Sequence, residues 1–366
     1  MARAESTEPS ELSEQQVAAA TLACLPQMTP ARLRRLLDEH RGPIGALRAV
    51  GHGWAGIASW RDAAERLDLA ARLRARGTRV WIDGDAGYPI GEGVADPPPV
   101  LLGEGDVVEC LGRPRVAIVG TRAATPHGLA DAADLGAFLA HHGVVVVSGL
   151  AIGIDAAAHT GALDAGGTAI GVVATGLDVV YPRRHCALFD RVRARGVIVS
   201  ETGFGVAPSP SRFPVRNRII AALADVVVVV EATARGGARI TAERALDYDR
   251  PVLAMPGSRR NPSAAGCNAL LADGAHPLLE PEDVLLALGL TPGARRGWDP
   301  GATERRRPTG LAARLHRAFG GEPASLDQLA TRADADLDEV TVALHQLEQY
   351  GWVEQSRGLW WPSASP

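Results

Sequence analysis

The stretch "GVVVVSGL", residues 143–150, indicates the fold class because it is an unbroken valine run bounded by glycines. A strand that is apolar at every position has no solvent-facing side, which is typical of a parallel sheet covered by helices on both faces. Five further segments share this pattern, with helical spacing between them: "RVAIVG" (115–120), "GTAIGVVA" (167–174), "GVIVSE" (196–201), "ADVVVVVE" (224–231) and "PVLAMPG" (251–257). This alternation predicts an α/β fold with a Rossmann-like, doubly wound and mostly parallel sheet.

The flanking segments have other patterns and predict further domains. Residues 1–76 contain short stretches of helical spacing, such as "PARLRRLLDEH", and predict a small helical domain of the SAM or helix-hairpin type. The Rossmann-like domain is assigned to residues 77–288 and opens with the strand-like "TRVWID" and the Pro-rich connector "ADPPPVLLGEGD". Residues 289–308, rich in Gly, Pro and Arg, predict a linker. Residues 309–366 predict three helices and two short aromatic strands, as in a winged helix.

Composition favours a globular protein that stays in the cytosol. Hydrophobic residues make up 46% of the chain, no apolar run is long enough to span a bilayer, and the first residues are acidic. Cys24, Cys110, Cys186 and Cys267 have no paired spacing, which favours buried thiols over a zinc site or disulfides. We therefore expect neither a metal nor a cofactor.

The distribution of charge suggests an anionic ligand for the middle of the chain. The net charge is -4, yet residues 113–260 carry 17 Arg against 12 Asp and Glu. The chain contains no lysine, a bias that high-GC coding would also produce, and this excludes lysine-based covalent catalysis.

Ligands of an open parallel sheet bind where the strands end, so the residues after each strand are informative. These segments are Thr121-Arg122, "AIGID", "TGFG" and "ATARGGARITAE". They supply glycines, hydroxyls, backbone amides and arginines, which is the chemistry of phosphate recognition. No G-x-G-x-x-G follows the first strand, so a dinucleotide cofactor is not expected. These segments also contain no nucleophile paired with a base, so we do not expect an enzyme.

Several longer motifs occur in the order found in one known family. They are "AIVGTR" (117–122), "SGLAIGIDAAAH" (148–159), "ATGLDVVYP" (174–182), "FPVRNRIIAAL" (213–223), "ITAERAL" (240–246) and "MPG" (255–257). With these motifs the chain resembles the DNA-processing protein A family, DprA or Smf. The resemblance implies a single-stranded DNA-binding protein that protects incoming DNA during natural transformation, loads RecA on it, and forms a homodimer.

The resemblance also implies a DNA-binding set of residues and no catalytic residue. That set is Gly120, Thr121, Arg122, Ser148, Gly149, Gly153, Phe213, Arg216, Asn217, Arg218, Gly237 and Arg239. Thr121 stands where the family has Ser and keeps the hydroxyl. Where the family has Arg-Ser-Gly, this chain has Arg235-Gly236-Gly237, so a hydroxyl is lost from that loop.

The segment "FPVRNRII", residues 213–220, places two arginines beside a buried strand, where each needs an anionic partner. Phe213 offers a stacking face for a base, worth about 1–3 kcal/mol in single-strand binders. Of Arg216 and Arg218, one is expected to reach phosphate while the other pairs with an internal acid, Glu231 or Glu201. The alternative is a wholly structural arginine–carboxylate lattice.

Four other polar residues have structural interpretations. Asp155 near a helix start is expected to be an N-cap, and His159 one turn later is expected to be packed in the core. Glu201 and Glu231 each end a strand and are expected to anchor loop amides and arginines.

Two alternative functions remain open from the residues. The segment "GGARITAE", residues 236–243, loosely resembles a motif of Rossmann-like nucleotide phosphoribohydrolases, in which Glu243 would act at the ribose. The other alternative is a scaffold whose terminal domains recruit partners.

The winged-helix-like segment does not have the charge of a duplex-DNA binder. Residues 309–366 contain four Arg against eight Asp or Glu. The acids at the start of its third helix would face phosphates in a groove, so we expect this segment to contact protein rather than DNA.

Overall fold

The computed structural model describes residues 12–53, 58–66, 68–106, 108–290, 308, 310–319, 324–349, 352–356 and 359–362. These residues fall into two compact units, Met1–Thr291 and Pro292–Pro366. Most of the predicted linker lies outside the described residues, so the predicted domain boundaries stay predictions.

The first unit is built on a nine-stranded sheet with the order β1-β2-β6-β5-β4-β3-β7-β8-β9. Its strands are β1 (Arg79–Ile82), β2 (Val100–Glu104), β3 (Arg115–Val119), β4 (Val145–Ser148), β5 (Ala169–Val172), β6 (Gly196–Ser200), β7 (Val226–Val229), β8 (Val252–Ala254) and β9 (His276–Pro277). From β6 to β9 all neighbours are parallel, whereas β1 with β2 and β2 with β6 are antiparallel. The predicted mostly parallel sheet and its six apolar strands are confirmed.

Twelve α-helices accompany this sheet within the described residues. They are α1 (Glu14–Ala23), α2 (Pro30–Glu39), α3 (Pro43–Gly51), α4 (Ala58–Arg66), α5 (Leu69–Arg76), α6 (Pro126–His141), α7 (Ile154–Asp164), α8 (Cys186–Arg195), α9 (Arg212–Leu223), α10 (Gly237–Asp247), α11 (Ala265–Ala272) and α12 (Glu282–Ala287). None of them combines the length and the apolarity needed to cross a bilayer.

Both faces of the sheet are buried, as the apolar strands predict. In β6, Val197 and Val199 belong to one apolar cluster and Ile198 to another, because successive side chains of a strand point to opposite faces. The first cluster contains residues of α9, α10 and α11, and the second contains residues of α1 to α3, α5 and α8. The doubly wound arrangement is therefore confirmed.

The N-terminal helices share the core of the sheet. Leu22 of α1 and Leu36 of α2 are fully buried in the same cluster as Leu102 of β2. The Gln16 side-chain amide donates to the Val80 carbonyl at 2.9 Å. Arg76 of α5 is 2.6 Å from Glu104 of β2, so ion pairing joins the same elements.

The second unit has the winged-helix order of elements. It comprises α13 (Gly310–Ala318), α14 (Leu326–Ala333), α15 (Leu337–Gln349) and an antiparallel pair, β10 (Val353–Ser356) with β11 (Leu359–Pro362). Leu315, Phe319, Leu344 and Trp360 are buried together in its core. The predicted three helices and hairpin are confirmed.

The cysteines differ in exposure. Cys110 and Cys267 are buried and Cys24 is partly buried, but Cys186 is exposed at the start of α8. The expectation of a buried thiol is wrong for Cys186, because the first turn of α8 faces solvent.

Candidate nucleic-acid interface

A cleft of about 520 Å³ opens at the carboxyl ends of the parallel strands. Strands β4, β5 and β6 lie on one side of β3 in the sheet, whereas β7, β8 and β9 lie on its other side. Between β3 and β7 the connections therefore diverge, which is where open α/β sheets bind ligands. Of the expected site residues, the cleft is lined by Gly120, Thr121, Arg122, Phe213, Arg216, Asn217 and Gly237.

The mouth of the cleft combines a cation with aromatic rings. The Arg122 guanidinium carbon lies 4.7 Å from the centre of the Phe213 ring, and the Tyr181 and Phe213 ring centres are 5.7 Å apart. Arg122 is exposed and forms no ion pair within the described part of the chain. An exposed guanidinium beside two rings can bind phosphate while the rings stack on bases. Sequence reasoning missed Tyr181, although it lies in the motif "ATGLDVVYP".

Two glycines let the loops after β3 and β4 approach each other closely. A Cβ on Gly120 would lie 2.4 Å from Ile154 Cγ1. Gly153 has φ +89°, and a Cβ there would lie 2.4 Å from the Thr121 carbonyl oxygen. Larger residues would push the two loops apart and displace Arg122 from the cleft.

Arg216 is directed inward from α9 and is 5% exposed. Its Nη1 donates to the carbonyl of Gly149 at 2.7 Å and to that of Val172, which joins the ends of β4 and β5. Burial lowers the pKa of Arg216 to about 10, with nearby Asp155 opposing this effect. Its Nε is buried without a hydrogen-bond partner among the described residues, and the side chain lines the cleft.

Arg218 has an internal partner. It forms a buried ion pair with Glu201, and its Nε lies 3.6 Å from Asp96. Burial raises the pKa of Glu201 to about 7, an effect that Arg218 opposes. The expected internal pairing thus involves Arg218 and Glu201, whereas Arg216 borders the cleft.

Glu231 anchors a helix start instead of an arginine. Its carboxylate accepts from the Thr125 amide at 2.9 Å and from the Thr125 hydroxyl at 2.6 Å. Thr125 is the N-cap of α6, and the Glu231 carbonyl accepts from the Thr121 amide at 2.7 Å. Both carboxylates that end strands act as anchors, as expected.

Three of the expected site residues join neighbouring elements around the cleft. The buried Ser148 hydroxyl donates to the Ile118 carbonyl at 2.6 Å and joins β4 to β3. The Asn217 side chain donates to the Gly237 carbonyl at 3.1 Å, joining α9 to the start of α10. Arg239 donates to the Ala234 carbonyl at 3.2 Å and lies 3.9 Å from Glu243.

Asp155 and His159 lie on α7, and Asp155 also lines the cleft. The N-cap of α7 is Gly153, so the expectation that Asp155 is the N-cap is wrong. The Asp155 carboxylate instead accepts from the amides of Gly149 and Ala151, at 3.1 and 3.4 Å, and holds the loop after β4. His159 is fully buried, as expected, and burial lowers its pKa to about 4.

Comparison with known proteins identifies the family of the chain. The family model described as DNA recombination-mediator protein A matches residues 79–289, and the one described as DprA winged helix domain matches residues 300–358. The chain belongs to the DprA family. This membership gives it a role in DNA processing.

Relatives within the DprA family match most of the chain. The putative DNA processing protein DprA of Mycobacterium tuberculosis is 36% identical over 341 residues, 87% of each chain. Protein Smf of Synechocystis sp. is 36% identical over 298 residues, 73% of this chain and 75% of the relative.

Two solved DprA structures have the same fold. That of Streptococcus pneumoniae is 32% identical with a TM-score of 0.62, and the match covers 75% of this chain and 98% of that one. That of Helicobacter pylori is 30% identical with a TM-score of 0.52, covering 58% and 95% respectively. The latter is described for its unique single-stranded DNA binding mode.

Further arginines extend the basic edge of this DprA chain beyond the cleft. Arg183 and Arg184 follow β5, and Arg259 and Arg260 follow β8, and all four are exposed. Sequence reasoning did not include them because they lie in loops outside the motifs, but the sheet order places these loops on the same edge as Arg122. The described residues contain no group of three or more metal-ligating side chains that could hold an ion.

Proposed function

We propose that this protein binds single-stranded DNA in the cleft between the ends of β3 and β7. The observation that carries the proposal is the exposed Arg122 guanidinium held over Phe213 at the cleft mouth, without an ion-pair partner among the described residues. A single strand presents both phosphates and unpaired bases, and this pair of side chains can engage one of each.

The finer role that we propose is protection of single-stranded DNA and loading of RecA in the cytoplasm during natural transformation or recombination. It is supported by membership of the DprA family and by the single-stranded DNA binding described for the Helicobacter pylori relative. A strand-exchange assay with RecA tests it: the protein is expected to shorten the lag on single-stranded DNA coated with a competing binding protein. An unchanged lag would contradict loading.

We also propose that the active species is a homodimer. Leu279, Leu286 and Leu290 are 68%, 62% and 36% exposed at the β9 end of the sheet, an unusual density of exposed leucine that a second copy would cover. Sedimentation equilibrium is expected to give twice the chain mass, and Leu286→Glu is expected to give monomers. A monomeric wild-type chain would contradict the dimer.

We propose a binding protein rather than an enzyme. Glu201 and Glu231 are engaged by Arg218 and Thr125, and Glu243, the residue that the phosphoribohydrolase alternative needs, is exposed on α10 beside Arg239. Incubation with nucleoside monophosphates is expected to release no ribose phosphate. If the wild type released ribose phosphate and the Glu243→Gln variant did not, the phosphoribohydrolase alternative would be favoured.

Fluorescence anisotropy with labelled oligo(dT) and with a duplex of equal length tests the central proposal. The protein is expected to prefer the single strand, with an affinity that falls with salt by a logarithmic slope of about -0.7 per phosphate contacted. Equal or tighter binding of the duplex would overturn it.

A further inference from the structure

A second cavity, of about 330 Å³, lies on the opposite side of α9 from the cleft. Its walls come from the turn between α1 and α2, the first residue of β2, the segments after β5 and β6, and the first turn of α9. Phe213, Pro214 and Asn217 of α9 line the cleft, whereas Arg212 and Val215 line this second cavity.

The lining of this cavity is mostly apolar but includes one buried carboxylate. Leu25, Met28, Leu33 and Val100 are among the apolar residues that line it, and Glu201 lines it from the end of β6. The Glu201 side chain is 8% exposed. Its Oε2 is engaged by Arg218, while Oε1 has no hydrogen-bond partner among the residues that the structure describes.

Oε1 is not among the fully buried polar atoms of the described residues that lack a partner, so it is reachable from the cavity and can accept from a ligand that donates a hydrogen bond. Arg218 already occupies the other oxygen, so the cavity presents one strong acceptor surrounded by apolar surface. Flat aromatic molecules with an amino group match this combination.

The cavity lies next to the expected path of the DNA. Arg216 lines both cavities, and only α9, about 10 Å across, stands between them. Arg212 adds a cation to the wall of the second cavity, and the only hydrogen bond of its side chain among the described residues is to the Ala207 carbonyl at 3.1 Å. A nucleotide next to those in the cleft can therefore cross the first turn of α9 and leave its phosphate near Arg212.

We propose that the second cavity binds one base of the single strand and that Glu201 selects bases carrying an exocyclic amino group. Cytosine presents its N4 amino group, a donor, where thymine presents the O4 carbonyl, an acceptor. Above pH 7, where Glu201 is ionised, its carboxylate accepts from the former and repels the latter. This inference rests on the proposed single-stranded DNA binding, to which it adds a bias between bases.

Anisotropy titrations of the full chain with oligo(dC) and oligo(dT) of equal length test this inference. The wild type is expected to bind oligo(dC) about fivefold more tightly, the net size of one typical hydrogen bond in water. Val215→Trp is expected to fill the cavity, because Val215 lines it, is 42% exposed and does not line the cleft. This variant is expected to bind both strands with the affinity of wild type for oligo(dT).

Leu246→Trp on α10 is the matched control, since Leu246 is 57% exposed and lines neither cavity. It is expected to keep the fivefold ratio. Direct substitution of Glu201 is a weaker test, because it leaves Arg218 buried with one fewer partner and can unfold the chain.

The outcomes separate the two proposals. Equal affinity of the wild type for both strands, or a ratio that Val215→Trp preserves, overturns the base-binding cavity and leaves single-stranded binding intact. Absence of binding to either strand overturns the proposed function itself. Arg122→Ala is expected to weaken both complexes equally, because Arg122 acts in the cleft.

Discussion

At the scale of single residues, Arg122 is the side chain on which DNA binding is expected to depend most. Arg122→Ala is expected to weaken oligo(dT) binding by more than about 1 kcal/mol, roughly fivefold or more, because it removes a charge-assisted hydrogen bond to phosphate. The melting temperature is expected to stay the same, since Arg122 is exposed and lacks an ion pair among the described residues. Anisotropy and thermal unfolding measure the two effects.

Arg195→Ala is the control for this substitution. Arg195 is equally an exposed arginine without an ion pair in the described chain, but it ends α8 and lies at the opposite edge of the sheet. The Arg195→Ala variant is expected to bind DNA with the affinity of the wild type. A large fall in the melting temperature of Arg122→Ala with unchanged DNA binding would show that Arg122 is structural.

His159 is expected to make the protein sensitive to acid. Burial lowers its folded-state pKa to about 4, with Arg216 and His185 adding positive charge nearby, whereas an unfolded histidine titrates near 6.5. Between these values the unfolded chain binds a proton that the folded chain does not. The free energy of unfolding therefore falls as pH drops from 6.5 to 4, by about 3 kcal/mol from this residue.

His159→Met removes this titration at similar side-chain volume. Urea unfolding at neutral pH and near pH 4.5 is expected to show a smaller acid-induced loss of stability in the variant than in the wild type. Equal losses in the two proteins would mean that His159 is protonated in the folded state.

Residue identity was easier to predict than residue orientation. The sequence indicated Arg122 and Phe213 as partners of DNA, but it left open which of Arg216 and Arg218 faces the cleft. Both are buried on α9, and their directions depend on Glu201, Gly149 and Val172, which come from other strands. Contacts made across the fold leave no local pattern in the sequence.

At the scale of elements, the loop after β8 is expected to lengthen the DNA path. Asn268 holds this loop through both the amide and the carbonyl of Gly257, at 3.1 and 2.9 Å, and the Gly266 amide donates to the Ala232 carbonyl at 2.7 Å. The exposed Arg259 and Arg260 are thus fixed beside the loop after β7. Substituting both by Ala is expected to reduce the gain in affinity on going from a short to a long oligonucleotide.

The short oligonucleotide provides the internal control for this prediction. Its affinity is expected to be unchanged in the double variant, while the salt slope for the long one falls by about 0.7 for each phosphate that an arginine no longer neutralises. Equal weakening for both lengths would place these arginines inside the primary cleft.

Elements with a strong local pattern were predicted correctly, and elements that depend on neighbours were missed. The apolar runs of β3 to β8 can be recognised as strands from the sequence, because both faces of the sheet are covered and each strand is apolar throughout. β2 begins directly after prolines in a segment that reads as a connector, and it forms only through antiparallel pairing with β1 and β6. β9 is two residues long and has no pattern of its own.

At the scale of the whole molecule, the winged-helix unit is expected to be dispensable for DNA binding. The first turn of α15 carries Asp338 and Glu339, which would face phosphates if the helix entered a groove. Deleting residues from 305 onward is expected to leave oligo(dT) affinity within a few-fold and to change self-association or partner binding. Anisotropy and sedimentation of the truncated chain measure both.

A tenfold loss of affinity, about 1.4 kcal/mol, would mean that this unit contacts DNA despite its charge. The sequence supplied the winged-helix order of elements and its acidity, because both are local properties. The binding partner of this unit could not be predicted in the same way, because it depends on the surface of another molecule.

The loops at the carboxyl edge of the sheet differ from one another, so we expect single-stranded DNA to bind across them in one 5′-to-3′ orientation. The loop after β5 carries Tyr181, Arg183 and Arg184, whereas the loop after β8 carries Arg259 and Arg260. DNA bound in the reverse orientation would therefore make different contacts at each end. Cys186 exposes a thiol on the β5 side and can carry a dye. Energy transfer to that dye is then expected to differ between oligonucleotides labelled at the 5′ end and at the 3′ end, so this edge would report strand polarity.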